Sequence, residues 1–109
     1  MATRAGRDSR QMKFGFDPEK ARSNLGKHGV SFEEAQTVFE NRLFLQAYDH
    51  KHSRNEARWQ TVGVSEKSRV LVVVTTERDG ELIWIISARK ATRTEKKAYE
   101  DEIKNRVGE

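Results

Sequence analysis

Cysteine is absent from this sequence, which excludes disulfides and thiolate metal sites and fits a reducing compartment. Long hydrophobic runs are absent too. The longest, near Val70–Val74 and Leu82–Ile86, fall far short of a membrane span. The opening "MATRAGRDSRQ" carries basic residues with no hydrophobic stretch behind them, so it does not read as a secretory signal. There are no internal repeats and no low-complexity segments. No glycine-rich phosphate loop is found, so a bound nucleotide or other cofactor has no support. These absences point to a cytoplasmic protein with no membrane partner.

What the chain has in quantity is charge. Of its 109 residues 35% are charged and 35% hydrophobic, so one economical core has to serve one domain. A chain of this length buries roughly 65% of its unfolded surface, enough for a core without staples. Lys plus Arg number 21 against 17 for Asp plus Glu, a net charge of +4. That excess suits a polyanionic partner, and it equally suits a solubilising surface.

Residues 1–11 have no apolar anchor and are expected to be a disordered tail, leaving 12–109 as a single domain. "MKFGF" predicts a short strand with Met12, Phe14 and Phe16 on one face. Asp17-Pro18 opens a helix as N-cap and first helical residue, and Gly26-Lys27-His28-Gly29 closes it. Ser31 and Glu34 stand at capping-box spacing before a second helix, whose stripe is Phe32, Ala35, Val38 and Phe39. "RLFLQAY", "ARWQTVGVS", "VLVVVTTE" and "ELIWIISA" read as strands, with "DHKHSRNE" a polar loop and Asp79-Gly80 a hairpin turn. Apolar residues on both parities of the second of these strands suggest a bulge near Gly63. Thr92 and Glu95 begin a last helix reaching about Arg106, with Tyr99, Ile103 and Val107 spaced by four. The expected class is α+β: a mainly antiparallel sheet, two N-terminal helices, and one C-terminal helix packed on it.

Several segments in order, "MKFGFDPEKARSNLGKHGVSFEEAQTVF", "EARWQTVGVS", "VLVVVTTER" and "IISARKATRTEKKAYE", resemble one family. Lys27-His28-Gly29-Val30, Glu77-Arg78 and Ile86-Ser87-Ala88-Arg89-Lys90-Ala91-Thr92 are the most specific pieces. The family is that of the BrnT toxins of BrnT/BrnA type II toxin–antitoxin systems, and the likeness runs from Met12 to about Glu102. One departure is Trp59-Gln60, where the family usually carries two apolar residues. The resemblance implies a RelE-like ribonuclease fold and RNA cleavage that inhibits translation. It also implies a BrnA-like ribbon-helix-helix antitoxin as partner, with operator DNA bound only through that antitoxin.

Metal-free RNA cleavage needs a base for the 2′-hydroxyl, cations for the phosphate, and an acid for the leaving 5′-oxygen. Arginine suits the second role, since its planar fork bonds two phosphate oxygens and stays charged. Given the resemblance, Arg89 at the end of the most apolar strand and Arg58 in a neighbouring one are the expected phosphate ligands. Each has a plainer reading: Arg89 paired with a carboxylate such as Glu77 or Glu56, Arg58 as a cross-strand partner. Lys90, Arg93, Arg78 and Ser87 are expected to bind or steer RNA. Two residues compete as base. His28 titrates near neutrality but also suits a helix C-terminus. Glu56 shares a strand face with Arg58 but also makes an ordinary salt bridge. Tyr99 is expected to pack more than to donate a proton. Asp49, His50 and His52 lie together without an evident fourth ligand, so a solvated loop is expected there rather than a metal site.

Overall fold

In the computed structural model, residues 12–108 are described; the expectation for residues 1–11 lies outside them. Strand β1 (Lys13–Gly15) leads into helix α1 (Pro18–His28) and helix α2 (Phe32–Thr37), which tightens into a 3-10 turn over Val38–Glu40. Then come β2 (Leu45–Tyr48), a 3-10 turn at His50–His52, β3 (Trp59–Val64), β4 (Val70–Arg78), β5 (Leu82–Lys90) and α3 (Arg93–Val107).

The helix ends follow local chemistry. Asp17 accepts from Glu19 N at 2.9 Å, and Ser31 Oγ from Glu34 N at 2.9 Å, each satisfying a donor the helix leaves open. Gly29, at φ 69°, closes α1 with its N–H on Leu25 O. Gly26 lies inside the helix, so of the two glycines only Gly29 supplies the left-handed cap. In α3 both halves of the Thr92/Glu95 capping box form. β2 is shorter than expected because Asn41 turns the chain first, accepting from Leu43 N on its side chain and from Phe44 N on its backbone.

Five strands make one sheet in the order β1-β5-β4-β3-β2. The expected antiparallel meander accounts for β2 to β5. β1, however, joins the far edge parallel to β5, so the sheet is mixed. The reason lies in its aromatics. Placing Phe14 beside Ile83 lets it meet Phe39, 5.2 Å between ring centres, and Phe16 meets Phe32 at 5.3 Å. Beyond the short β1, the free edge of β5 is finished by Asn24, which donates to Ala88 O at 2.8 Å and accepts from Ala88 N at 3.1 Å. A side-chain amide there replaces a missing strand.

One sheet face, built on Leu71, Val73, Ile85 and Ala88, buries Val30, Phe32, Ala35, Val38 and Phe39 from the α1–α2 layer. The same layer encloses a charge. Glu34 is 1% exposed, held by both ends of the Arg69 guanidinium and by Ser65 Oγ, whose hydroxyl donates at 2.6 Å. Arg69 also reaches Gly29 O at 3.1 Å, tying the α1 cap to the start of β4.

The expected bulge near Gly63 does not form; β3 pairs with β4 without a break. Gly63 is needed for space, because a Cβ there would stand 2.8 Å from Val38 Cγ1. Both parities of β3 are apolar because Gly63 meets the 3-10 turn on one side, while Val62 faces α3 on the other. The irregularity falls between β4 and β5, where Val74 pairs with Ser87 and Thr75 with Ile85, leaving Ile86 as the extra residue. That single insertion reverses the alternation. Ile83 and Ile85 point to the core before it, and Ala88 after it, so Ser87 and Arg89 are aimed at the opposite face.

Candidate functional site

The face opposite the core cluster carries Leu45 and Ala47 from β2, Gln60 and Val62 from β3, and Val72, Val74, Thr76 and Arg78 from β4. Trp84, Ser87 and Arg89 of β5 and Gly15 of β1 complete it. α3 lies over its β2–β3 side, where Ala98 and Tyr99 form a groove with Leu45, Ala47, Gln60 and Val62. Tyr99 packs there with its ring buried. Its hydroxyl donates to Leu43 O at 3.0 Å, and burial raises its pKa, which suits an anchor better than a proton donor.

Arg58 stands at the start of β3. Continuing the register one residue past Trp59 and Thr75 sets it across from Thr76 on this open face. Its backbone is fixed three ways: its N–H donates to Ser53 Oγ at 3.0 Å, its carbonyl accepts from Asp49 N at 2.8 Å, and the neighbouring Ala57 carbonyl accepts from Thr76 Oγ1 at 2.6 Å. Glu56 lies beside it, Oε1 to Nη2 3.6 Å, with both side chains about one-third exposed. That separation is too long for a strong hydrogen bond, so the pair is adjacent without being locked. Among the described residues, Arg58 Nε is the buried side-chain polar atom that has no hydrogen-bond partner. The part of the guanidinium open to solvent is its terminal end beside Glu56, where the side chain is about one-third exposed.

Arg78 lies on the same face, its guanidinium carbon 4.3 Å from the Trp84 ring centre. Arg89 also projects there, but it is engaged. Its two terminal nitrogens bond the Glu95 carboxylate at 2.7 and 2.9 Å. Glu95 accepts as well from Thr92 N, and these donors, Arg89 first, depress its pKa to about 2. The expected carboxylate partner of Arg89, Glu77 or Glu56, is thus replaced by the capping residue of α3. Four residues along β4 and two strands across separate Arg58 from Arg89, about 16 Å between Cα atoms from standard strand spacings.

The remaining candidates fall elsewhere. Ser87 shares the open face, next to Val74. Lys90 leaves the end of β5 on the core-facing side, exposed, and Arg93 is the exposed first residue of α3. His28, half-buried, ends α1 in the layer on the other side of the sheet, so it is not brought together with Arg58 and Glu56. Asp49 accepts from His52 N and Nδ1 and from Gln60, capping its loop; the His50 ring rests on Tyr48, 4.7 Å between centres. Among the described residues no group of three or more His, Asp or Glu is arranged to hold a metal ion.

Trp84 was not singled out by the sequence, because a tryptophan inside "LIWIIS" reads as core. Only the pairing with Gly15 and Thr76 puts it on the open face. Glu95 was legible as a cap but not as the partner of Arg89.

Fold and site together define a small basic α+β domain whose sheet carries arginines on the face away from its core. The family model for the ribonuclease toxin BrnT of type II toxin–antitoxin systems matches residues 16–95, and the chain belongs to that family. It is similar in structure to the Brucella abortus ribonuclease toxin BrnT, solved at 1.1 Å. The match has a TM-score of 0.57 and 20% identity, covering 75% of this chain and 99% of that one, which shows a shared fold. No curated protein matches the sequence. Among the described residues no helix is long and apolar enough to cross a membrane.

Proposed function

We propose that this toxin is a metal-independent endoribonuclease of RelE-like design that cleaves single-stranded RNA at the Glu56–Arg58 end of the open sheet face. Beyond family membership, the observation that carries this is the partly exposed Arg58 guanidinium on the open face, with a carboxylate at its side that does not lock it. Glu56 takes the proton from a 2′-hydroxyl, the 2′-oxygen bonds to phosphorus, and the bond to the 5′-oxygen breaks, that oxygen taking a proton from solvent. Arg58 stabilises the charge gathering on the non-bridging oxygens through the exposed end of its guanidinium. Glu56 is preferred to His28 as base because His28 lies across the sheet. Lys90, Arg93 and Ser87 guide the strand, while Arg89 both adds positive charge and holds α3.

Cleavage of this kind in the cytoplasm inhibits translation. A BrnA-like ribbon-helix-helix antitoxin would neutralise the toxin by covering the open face with acidic side chains and would tether the complex to operator DNA. The test is incubation of the purified protein with single-stranded RNA in excess EDTA, followed by analysis of the ends. Fragments bearing 2′,3′-cyclic phosphate are expected. Binding without cleavage would make the chain a non-catalytic nucleic-acid-binding or antitoxin-binding module. Cleavage abolished by chelator and restored by a divalent cation would return attention to Asp49, His50 and His52. In cells, induction of the toxin alone is expected to arrest growth, and co-expression of the antitoxin to restore it.

A further inference from the structure

The centre of the open face at its Arg58 end is an aromatic ring surrounded by cations. Trp84 is half-buried and points away from the core cluster, although it lies within the most apolar strand. The sequence makes room for it: a Cβ at Gly15 would stand 2.9 Å from both Cε3 and Cζ3 of the ring, so only glycine lets the indole lie across β1. Arg78 rests over the ring at 4.3 Å and is itself exposed, and among the described residues no carboxylate engages it. Lys13, exposed and paired with Leu82, ends the same row on β1. Arg58, across from Thr76, lies two strands from Trp84, about 10 Å away by strand spacing.

A tryptophan on an open sheet face, flanked by arginine and lysine, matches what an unpaired nucleobase requires. Unstacked bases lie on aromatic rings or guanidinium planes, while neighbouring cations take the phosphates. We propose that Trp84 and Arg78 form a stacking platform for one base of a single-stranded RNA, and that this base neighbours the phosphate held by Arg58. The proposal rests on the reading of Arg58 as the phosphate site and adds the class of group bound beside it. Cation and ring divide the work: Lys13 and Arg58 track the backbone, and the Trp84–Arg78 stack holds the base regardless of its identity.

Fluorescence tests this directly, because Trp59→Phe leaves Trp84 as the single tryptophan. The probes are a six-nucleotide oligoadenylate and an abasic strand of equal length, both 2′-O-methylated so that neither can be cleaved. Oligoadenylate is expected to quench Trp84 emission and to bind more tightly than the abasic strand. Trp84→Ala and Arg78→Ala, followed by anisotropy of a labelled strand, should weaken oligoadenylate about tenfold and leave the abasic strand much less affected. Trp84→Phe should restore most of the binding, and Gly15→Ala, which displaces the ring, should mimic the loss. Equal affinity for the two strands, or binding without quenching, would overturn the platform, as would RNA cleavage by the wild type that Trp84→Ala leaves unchanged in KM. Quenching by oligoadenylate in a protein that cleaves no RNA would uphold the platform and refute the ribonuclease reading.

Discussion

Glu34 shows how a residue placed by helix-start spacing acquires a second role in the fold. Phe32, Glu34 and Ala35 all lie in the first turns of α2, and the structure buries all three. Arg69 holds Glu34 below its usual carboxylate pKa, first through its hydrogen bonds, with Ser65 helping against the opposing cost of burial. Removing the cation strands a buried carboxylate, so Arg69→Ala is expected to lower the denaturant midpoint clearly with the slope of the transition unchanged. Arg69 was invisible as a structural residue in the sequence because its partner lies 35 positions away. Arg58 and Glu56 do lie side by side, but the expected strand begins only at Trp59, so they meet in the bend before β3 rather than on a shared strand face. What the sequence could not show is that Arg58 Nε would be buried without an acceptor, while Arg89 would be saturated by Glu95. The second depends on where α3 settles.

At the scale of elements, helices were the most readable part, because caps are local: Asp17, Ser31 and Thr92 each act where their spacing indicates. Pairing partners are not local. Nothing in "MKFGF" says that it will run parallel to β5, and a bulge at Ile86 leaves no mark in a strand apolar at nearly every position. α3 is held to the sheet by the Tyr99 anchor and the Arg89–Glu95 pair. Glu95→Gln is therefore expected to loosen this helix, seen as faster amide exchange through its first turns. The loss should be about 1 kcal/mol, because the pair is more than one-third exposed and solvent screens it. The pH dependence has a definite sign. Glu95 titrates at about 2 in the fold against 4.5 ordinarily, so its contribution is complete above about pH 4.5 and is lost as pH falls toward 2. Glu34 is depressed in the same direction. Thermal unfolding followed from pH 6 down to pH 2 should show the midpoint falling below about 4.5, with a smaller fall in Glu95→Gln.

For the whole molecule, the sheet divides two tasks. One face and the α1–α2 layer make the core; the other presents Arg58, Arg78 and Trp84, and the bulge in β5 adds Arg89 to it. A net charge of +4 concentrated partly on that face should give RNA binding a clear salt dependence. With Lys13 and Arg58 each neutralising a phosphate, the slope of log K against log salt should be about −1.4 for a single strand, read by anisotropy of a non-cleavable oligonucleotide. The most direct measurement of the account is the rate of single-stranded RNA cleavage in EDTA by the wild type, Arg58→Ala and Glu56→Gln, with each variant shown to unfold at the wild-type temperature. Arg58→Ala is expected to lower the rate about 100- to 1,000-fold through the loss of one preorganised charge donor. Glu56→Gln should lower it by about 100-fold or more through loss of the base. Two folded variants that cleave RNA at the wild-type rate would place the chemistry away from this face and contradict the account.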